Sequence, residues 1–285
     1  MKRLIALLLC LLLLSGCAPK TEYLLAQSVC DDRDGTPQRS TFEYDEAGRL
    51  IALTNEDDDF FGMGPLYERI EFEYDDHGQL LQERIYDETG CIRVREYVNS
   101  YDASGRLVYF DSYTDGELFE SRTNSYDEQG NLTRTEFIHR SPYSTDTIVE
   151  TFDEAGNVLR NETTVVLWSA AELNESERAP VITEYFYEDG LLIRSESDEG
   201  RRDAYTYDRK DRITRLERFQ DEVLQCCWEY TYTANTETEI QYEPDGTMTA
   251  KQVRTYDKAG NLIKEEYFDS ADRLCQTATH SYIPK

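Results

Sequence analysis

One seven-residue phrase recurs along the chain: Tyr44-Asp45-Glu46-Ala47-Gly48-Arg49-Leu50, and again from residues 74, 86, 101, 126, 152 and 256. Counting its first residue as zero, an aromatic stands at 0, Asp at +1, Gly at +4 and an aliphatic or β-branched residue at +6. Each position has a mechanical reason. Asp at the first corner of a type I turn accepts a backbone N–H two residues on. Gly three residues later takes φ > 0 without a Cβ clash and forms a bulge. Gly48 and Arg49 then oppose Asp45, and Tyr44 faces Leu50 across the hairpin. Such an aromatic–aliphatic pair is worth about 0.2–1 kcal/mol over alanines. Opposite charges often face each other too: Asp45 with Arg49, Asp102 with Arg106, Asp208 with Arg212, Asp269 with Arg273.

A shorter version, residues 113–118 (YTDGEL) and 187–192 (YEDGLL), has Asp-Gly at its centre. That is a two-residue type I′ signal, and it keeps Tyr113 opposite Leu118. Looser copies start at 207, 219, 242 and 268, for about thirteen turns in all. The repeat is therefore built on Tyr44, Asp45 and Gly48; Tyr74, Asp75 and Gly78; Tyr101, Asp102 and Gly105; Tyr126, Asp127 and Gly130; Tyr256, Asp257 and Gly260.

Between turns there is room for one strand of ordinary length, such as 107–113 or 118–126. Each turn reverses the chain, so the product is an antiparallel meander with a unit of about 26 residues, the size of a stacking repeat. The turns at 75, 102 and 127 fall on one edge and those at 87 and 114 on the other. The aliphatic and the next aromatic are an even number apart, which places both on one face. Gln82 with Arg84, Glu120 with Arg122, Arg215 with Glu217 and Lys264 with Glu266 then form a charged band between two apolar stripes. A dry sandwich core would alternate apolar residues throughout. The pattern predicts an all-β meander, twisted and curled into an open or partly closed shell-like sheet. Residues 168–179 contain a capping box, Ser169 with Glu172, that predicts one short inserted helix.

The N-terminus reads differently. Lys2 and Arg3 precede the apolar run Leu4–Leu14, too short to span a bilayer stably, and Leu14-Ser15-Gly16-Cys17 follows. This resembles the bacterial lipobox, which implies a signal helix in residues 1–16, lipidation of Cys17, a tether over 17–27 and a repeat domain over 28–285. Acyl chains anchor at roughly 0.8 kcal/mol per buried CH₂.

A net charge of −28 repels nucleic acid and anionic headgroups, so the membrane is reached through the lipid alone. The five cysteines after Cys17, residues 30, 91, 226, 227 and 275, cannot all pair. No catalytic nucleophile, phosphate loop or metal-ligand spacing is present among the motifs, and His77, His139 and His280 are scattered. The expectation is a chain without catalytic residues, metal or cofactor.

The YDxxGxL phrases resemble the Rhs, or YD-repeat, proteins, and the resemblance covers most of residues 40–280. It implies a long β-sheet spiralling into a hollow shell. No toxin tail is expected after the last repeat and no DPxGL-type motif is found, so toxin storage is not implied. The expected function is non-enzymatic: a lipid-anchored extracytoplasmic protein offering an extended surface to a cell-surface protein or polysaccharide, with edge tyrosines such as Tyr101, Tyr126 and Tyr256 available for stacking. The alternative is an immunity or accessory lipoprotein of an Rhs-type toxin system.

Overall fold

The computed structural model describes residues 23–32, 37–57, 66–141, 143–168, 175–177 and 179–284. Consecutive strands pair antiparallel from Tyr23–Asp32 to Leu274–Pro284. The short strand Glu175–Glu177 and the strand Val181–Glu188 lie along the same neighbour, Val158–Trp168. The last strand returns to the first: Leu25 faces Tyr282 and Cys30 faces Ala278. The sheet is thus a closed barrel of 20 staves. This corrects the expected open or partly closed sheet. Closure leaves no unpaired edge of N–H and C=O groups, which an open meander would expose at both ends. The first strand begins at Tyr23, so the lattice of hydrogen bonds starts five residues before the expected domain boundary.

No helix occurs among the described residues. Residues 169–174, which hold the Ser169 capping box, lie outside them, and Glu175–Glu177 is a strand. The signal segment and Cys17 also lie outside the described residues.

The turns form as their chemistry dictates. Gly48 sits at φ 79° and donates its N–H to the Asp45 carbonyl at 2.9 Å, while the Asp45 N–H returns to the Arg49 carbonyl at 2.9 Å. The Asp45 carboxylate accepts the N–H groups of Ala47 and Arg49 through one oxygen and the Arg49 Nε, at 2.7 Å, through the other. Arg106, Arg212 and Arg273 bind Asp102, Asp208 and Asp269 in the same way. In the short turns Asp115 and Gly116 both take φ > 0, as do Asp189 and Gly190. The phrase at 86 departs from its own sequence: Tyr86 faces Cys91 rather than Ile92, and Asp87 faces Gly90.

A second irregularity follows every one of these turns. Tyr44 faces Leu50, but Glu43 faces Ala52, so Ile51 is an extra residue. The same skip passes Leu81, Val108, Thr133, Leu159, Ile193 and Ile263, and it also follows the short turns, where Phe119 is passed. An inserted residue shifts the alternation by one. The aliphatic at +6 and the next aromatic therefore lie on opposite faces, which overturns the expected placement of both on one face. Gln82 and Arg84 pair with Glu73 and Glu71, on the face opposite Leu80.

This phase shift makes the two rims of the barrel different. At one rim, Tyr44, Tyr74, Tyr101, Tyr126, Tyr187, Tyr207 and Tyr256 share a face with Ser112, Asp203 and Glu265. At the other, Tyr86, Tyr113, Phe219, Tyr242 and Phe268 lie on the opposite face. We call them the tyrosine rim and the loop rim. The face of Asp203 and Glu265 is the inner one. It carries the wall cavity described below, and its charged side chains are the most enclosed: Asp203 is 7% and Glu265 4% exposed. On the other face, Arg84 and Glu73 are 42% and 57% exposed.

The barrel has little dry core. The fully buried apolar residues among those described are Ala52, Leu53, Cys227 and Ala278, whereas Ser40, Asp57, Asp111, Ser112, Ser121, Ser195, Asp203, Asn261 and Glu265 are buried polar ones. Substantial contacts of each strand are with its sheet neighbours. Ladder hydrogen bonds and same-face pairs along the wall hold the fold, in place of two layers packed across it.

Candidate binding wall of the barrel

The tyrosines of one rim are tied into the wall. Tyr74 Oη donates to the carbonyl of Leu50 at 2.6 Å, the +6 residue of the preceding turn. Tyr126 does the same to Leu107, Tyr187 to Val158, Tyr207 to Leu192, Tyr232 to Ile213 and Tyr282 to Leu262, at 2.7–3.0 Å. Tyr44 completes the circuit across the closure by bonding the Leu25 carbonyl at 2.9 Å. The bulge loosens the ladder beside each of these carbonyls, and the phenol supplies the partner. Tyr101 and Tyr256 bind carboxylates instead, Asp75 and Glu237. At the corresponding carbonyl, Leu80, Asn99 donates at 2.9 Å.

The ring faces are covered too. Arg49 lies over Tyr74, Arg106 over Tyr126 and Arg212 over Tyr232, with 5.2, 4.7 and 4.2 Å from guanidinium carbon to ring centroid. His77 stacks on Tyr101 at 4.1 Å. One Asp–Arg pair thus fixes its own turn and clamps the next hairpin. Burial raises the phenol pKa of Tyr74, Tyr187, Tyr207 and Tyr232. Burial and nearby carboxylates push Tyr101, Tyr256 and Tyr282 up to about 12.

Between the rims the inner wall carries charge in clusters. Glu265 accepts from Gln252 at 3.0 Å and lies 3.3 Å from His280 Nε2 and 3.5 Å from Arg254 Nε. Burial works to raise the Glu265 carboxyl, but His280 and Arg254 outweigh it and hold it low. Arg254 also reaches Glu237 at 2.8 Å, while burial raises the pKa of Glu239. Across the barrel wall Glu83 pairs with Arg95 at 3.1 Å and Glu120 with His139 at 3.5 Å.

A cavity of about 780 Å³ opens on this wall at the loop-rim end of strands Val181–Glu188, Leu191–Ser197, Arg201–Tyr207 and Ile213–Gln220. Asp203 lies on its lining, bound by Arg218 Nε at 3.0 Å and Arg201 Nη2 at 3.0 Å. Burial pushes the Asp203 carboxyl up, and the two guanidiniums more than reverse it. Tyr185 and Tyr205 belong to the same lining, two strands apart, with Ser195 directly opposite Tyr185.

The outer face is charged at mid-strand. Arg69 joins Glu43 and Glu71, Arg134 joins Glu136, Arg160 joins Glu162 and Lys264 joins Glu266. A lipid-exposed barrel needs an apolar outward band about 25 Å tall, which these ion pairs interrupt. Among the described residues no group of three or more His, Cys, Asp or Glu side chains is placed to hold a metal ion. Cys91, Cys226, Cys227 and Cys275 are free thiols, Cys30 Sγ accepts from Gln276 Nε2 at 2.8 Å, and Cys226 and Cys227 face opposite ways.

Comparison with known proteins gives weak likenesses. A chain in the crystal structure of TcdB2-TccC3-Cdc42 matches at 15% identity and TM-score 0.25, over 84% of this chain and 16% of that one. A porin-like protein from Bacteroides uniformis matches at 15% identity and TM-score 0.35, over 93% of this chain and 99% of that one. A chain of the Photorhabdus luminescens Tc holotoxin pore matches at 13% identity and TM-score 0.21, over 87% and 19%. This chain therefore spans under a fifth of the Tc-toxin chains it matches. No family model and no curated protein matches. The closed repeat barrel rests on the strand registers themselves.

Of the repeat residues, the Asp and Gly positions make turns and the tyrosines join hairpins. The cavity, the Glu265–His280–Arg254 cluster and the phenol–carbonyl bonds carry no motif. Only one sign of the last was present in the sequence: the aromatic at the tyrosine rim is Tyr at every turn except Phe152, whereas the loop rim admits Phe219 and Phe268.

Proposed function

We propose that this chain is a lipid-anchored, extracytoplasmic binding protein of the Rhs/YD-repeat kind, non-enzymatic, holding a protein or polysaccharide ligand over several repeats. The observation that supports this most is the spread of polar chemistry. Ion pairs and hydroxyls recur around the whole inner wall, as at Arg95, Glu120, Asp203 and Arg254, instead of converging on one reactive group. Such a wall suits many weak contacts with a polymer.

The anchor reading gives the barrel an orientation. Cys17 is six residues from Tyr23, and an extended chain of that length spans about 20 Å. Tyr23 faces Pro284 at the tyrosine rim. With Cys17 lipidated, that rim stands toward the bilayer and the loop rim, with its cavity, points away. Cys17→Ser should release the protein from membranes or leave it unprocessed. Labelling by an alkynyl fatty acid that persists in Cys17→Ser would overturn the anchor. For the ligand, a binding screen against glycans and surface proteins tests the reading. No single alanine substitution should abolish binding, whereas deletion of one 26-residue unit such as residues 101–126 should.

A further inference from the structure

The loop-rim cavity narrows the ligand. We infer that it takes a neutral saccharide unit of a polysaccharide, an inference that rests on the polymer-binding reading above. Three features lead there.

The first is charge. In a chain of net charge −28, the cavity lining is balanced: Arg201 and Arg218 against Asp203 and Glu199. Both guanidiniums are already committed to Asp203. An anionic ligand would have to break those pairs, and a cationic one would find the buried carboxylate occupied. A ligand without charge disturbs neither.

The second is shape. Ser195 pairs with Tyr185 on one side and Asp203 on the other. Tyr185 stands beside Ser195 in one row, and Tyr205 stands two residues further along the strand on the other side, its phenol beside the Ser195 hydroxyl, so the small Ser195 leaves a space next to both rings. A larger residue at 195 would fill it. The two tyrosine rings offer apolar surface on which the C–H face of a sugar ring can stack. The cavity volume of about 780 Å³ lies within the usual range for ligand sites.

The third is hydrogen bonding. Thr183, Ser197 and Gln220 add hydroxyls and an amide to the lining. Most tyrosine-rim phenols bond a backbone carbonyl, but the Tyr185 hydroxyl makes no hydrogen bond among the described residues. Burial raises its pKa, which keeps it a neutral donor. Neutral donors and acceptors around a ring-sized hollow match the many hydroxyls of an uncharged sugar.

The experiment uses the full chain in detergent on an array printed with neutral glycans, anionic glycans and peptides, followed by titration of the strongest neutral glycan. Binding to neutral glycans is expected, with about tenfold weaker affinity in Tyr185→Ala and Tyr205→Ala. Ser195→Leu should weaken it at least as much, and Tyr185→Phe should weaken it less than Tyr185→Ala. Circular dichroism and Tm of each variant confirm that the barrel persists. Neutral-glycan binding that none of these folded variants alters would overturn the cavity assignment and leave the extended-surface reading standing. Binding only to anionic glycans or only to peptides would overturn the saccharide assignment. Binding to nothing on the array would sink the saccharide assignment, and a negative surface-protein screen as well would sink the wider reading.

Discussion

The two rims of the barrel are made from nearly the same phrase and do different things with it. At the tyrosine rim the aromatic points inward, its hydroxyl bonds the preceding hairpin, and an arginine from that hairpin covers its ring, as at Tyr126 with Leu107 and Arg106. At the loop rim the aromatic points outward, and a cation from an adjacent outward position covers it: Arg202 over Phe219 and Lys251 over Phe268. There the Tyr113 hydroxyl reaches Asp111 on its own strand instead of a carbonyl of the preceding hairpin, and Phe stands in place of Tyr at 219 and 268. The single extra residue after each turn produces the difference, because it reverses the facing of everything up to the next turn. One motif thus yields a stapled ring at one end and a rim without those staples at the other.

The largest effect expected from this comparison is collective. Tyr101, Tyr256 and Tyr282, with phenols pushed up to about 12, all belong to the tyrosine rim. An unfolded tyrosine ionises near 10. The folded state therefore binds those protons more tightly, so their contribution is complete below about pH 10 and is lost as pH rises toward about 12. Unfolding within that window, with tyrosinate absorbance rising in the same step, is the expected result. Smooth ionisation near pH 10 with the barrel intact would mean that the rim phenols are not engaged.

Next comes the turn itself. Gly130 lies at φ 95°, and a Cβ there would come within 2.9 Å of the Arg106 guanidinium. Gly130→Val should cost about 1–3 kcal/mol, mostly from backbone strain, and Gly130→Asn should cost less. The chain makes the milder exchange itself, with Asp211 and Asp272 at φ 60° and 57° in the equivalent places. Equal melting temperatures for the two variants would contradict the assigned turn.

Smaller again is the staple. Tyr126→Phe or Tyr207→Phe removes a phenol and leaves a carbonyl without it, at about 0.5–1.5 kcal/mol each. Tyr242→Phe at the loop rim should change stability by less than about 0.5 kcal/mol. Equal losses at both rims, by urea denaturation, would erase the distinction. The converse change is the smallest. Phe152 occupies a tyrosine-rim position without a hydroxyl, opposite Val158. Phe152→Tyr should stabilise by about 0.5 kcal/mol by adding the missing bond, which is resolved by the shift in denaturation midpoint.

The turns were legible because each of their positions has a local cause: Asp45 bonds N–H groups two and four residues away, and Gly48 alone needs its φ. The alternation of rims followed from spacing; the strand count did not, because about thirteen phrases were counted against 21 strands, and connections such as Ser197 to Arg201 and Tyr232 to Thr236 carry no phrase. Nor did the facing. Leu107 and Tyr113 stand six residues apart, which reads as one face, and nothing local marks Val108 as extra. Because the bulge was hidden, the Asp203–Arg218 and Glu265–His280 pairs could not be assembled from sequence: each joins residues whose shared face depends on the phase set by bulges between them. Closure was also hidden. Tyr23–Asp32 carries no repeat phrase, and its pairing with Leu274–Pro284 depends on the accumulated curvature of all the other strands, a property that no segment encodes alone.

Closure is the claim on which the rest depends, and it can be tested at the seam. Val29 faces Thr279 across the junction of first and last strands. Directly opposed residues have Cα atoms about 4.5–5.5 Å apart, within disulfide range. With the five native thiols after Cys17 replaced by serine, or by alanine at buried Cys227, the double variant Val29→Cys, Thr279→Cys should form one intramolecular disulfide under mild oxidation. It should form no cross-link between molecules and should gain thermal stability. A double variant that stays reduced, or that cross-links only between molecules, would show an open sheet with two free edges and would contradict the barrel.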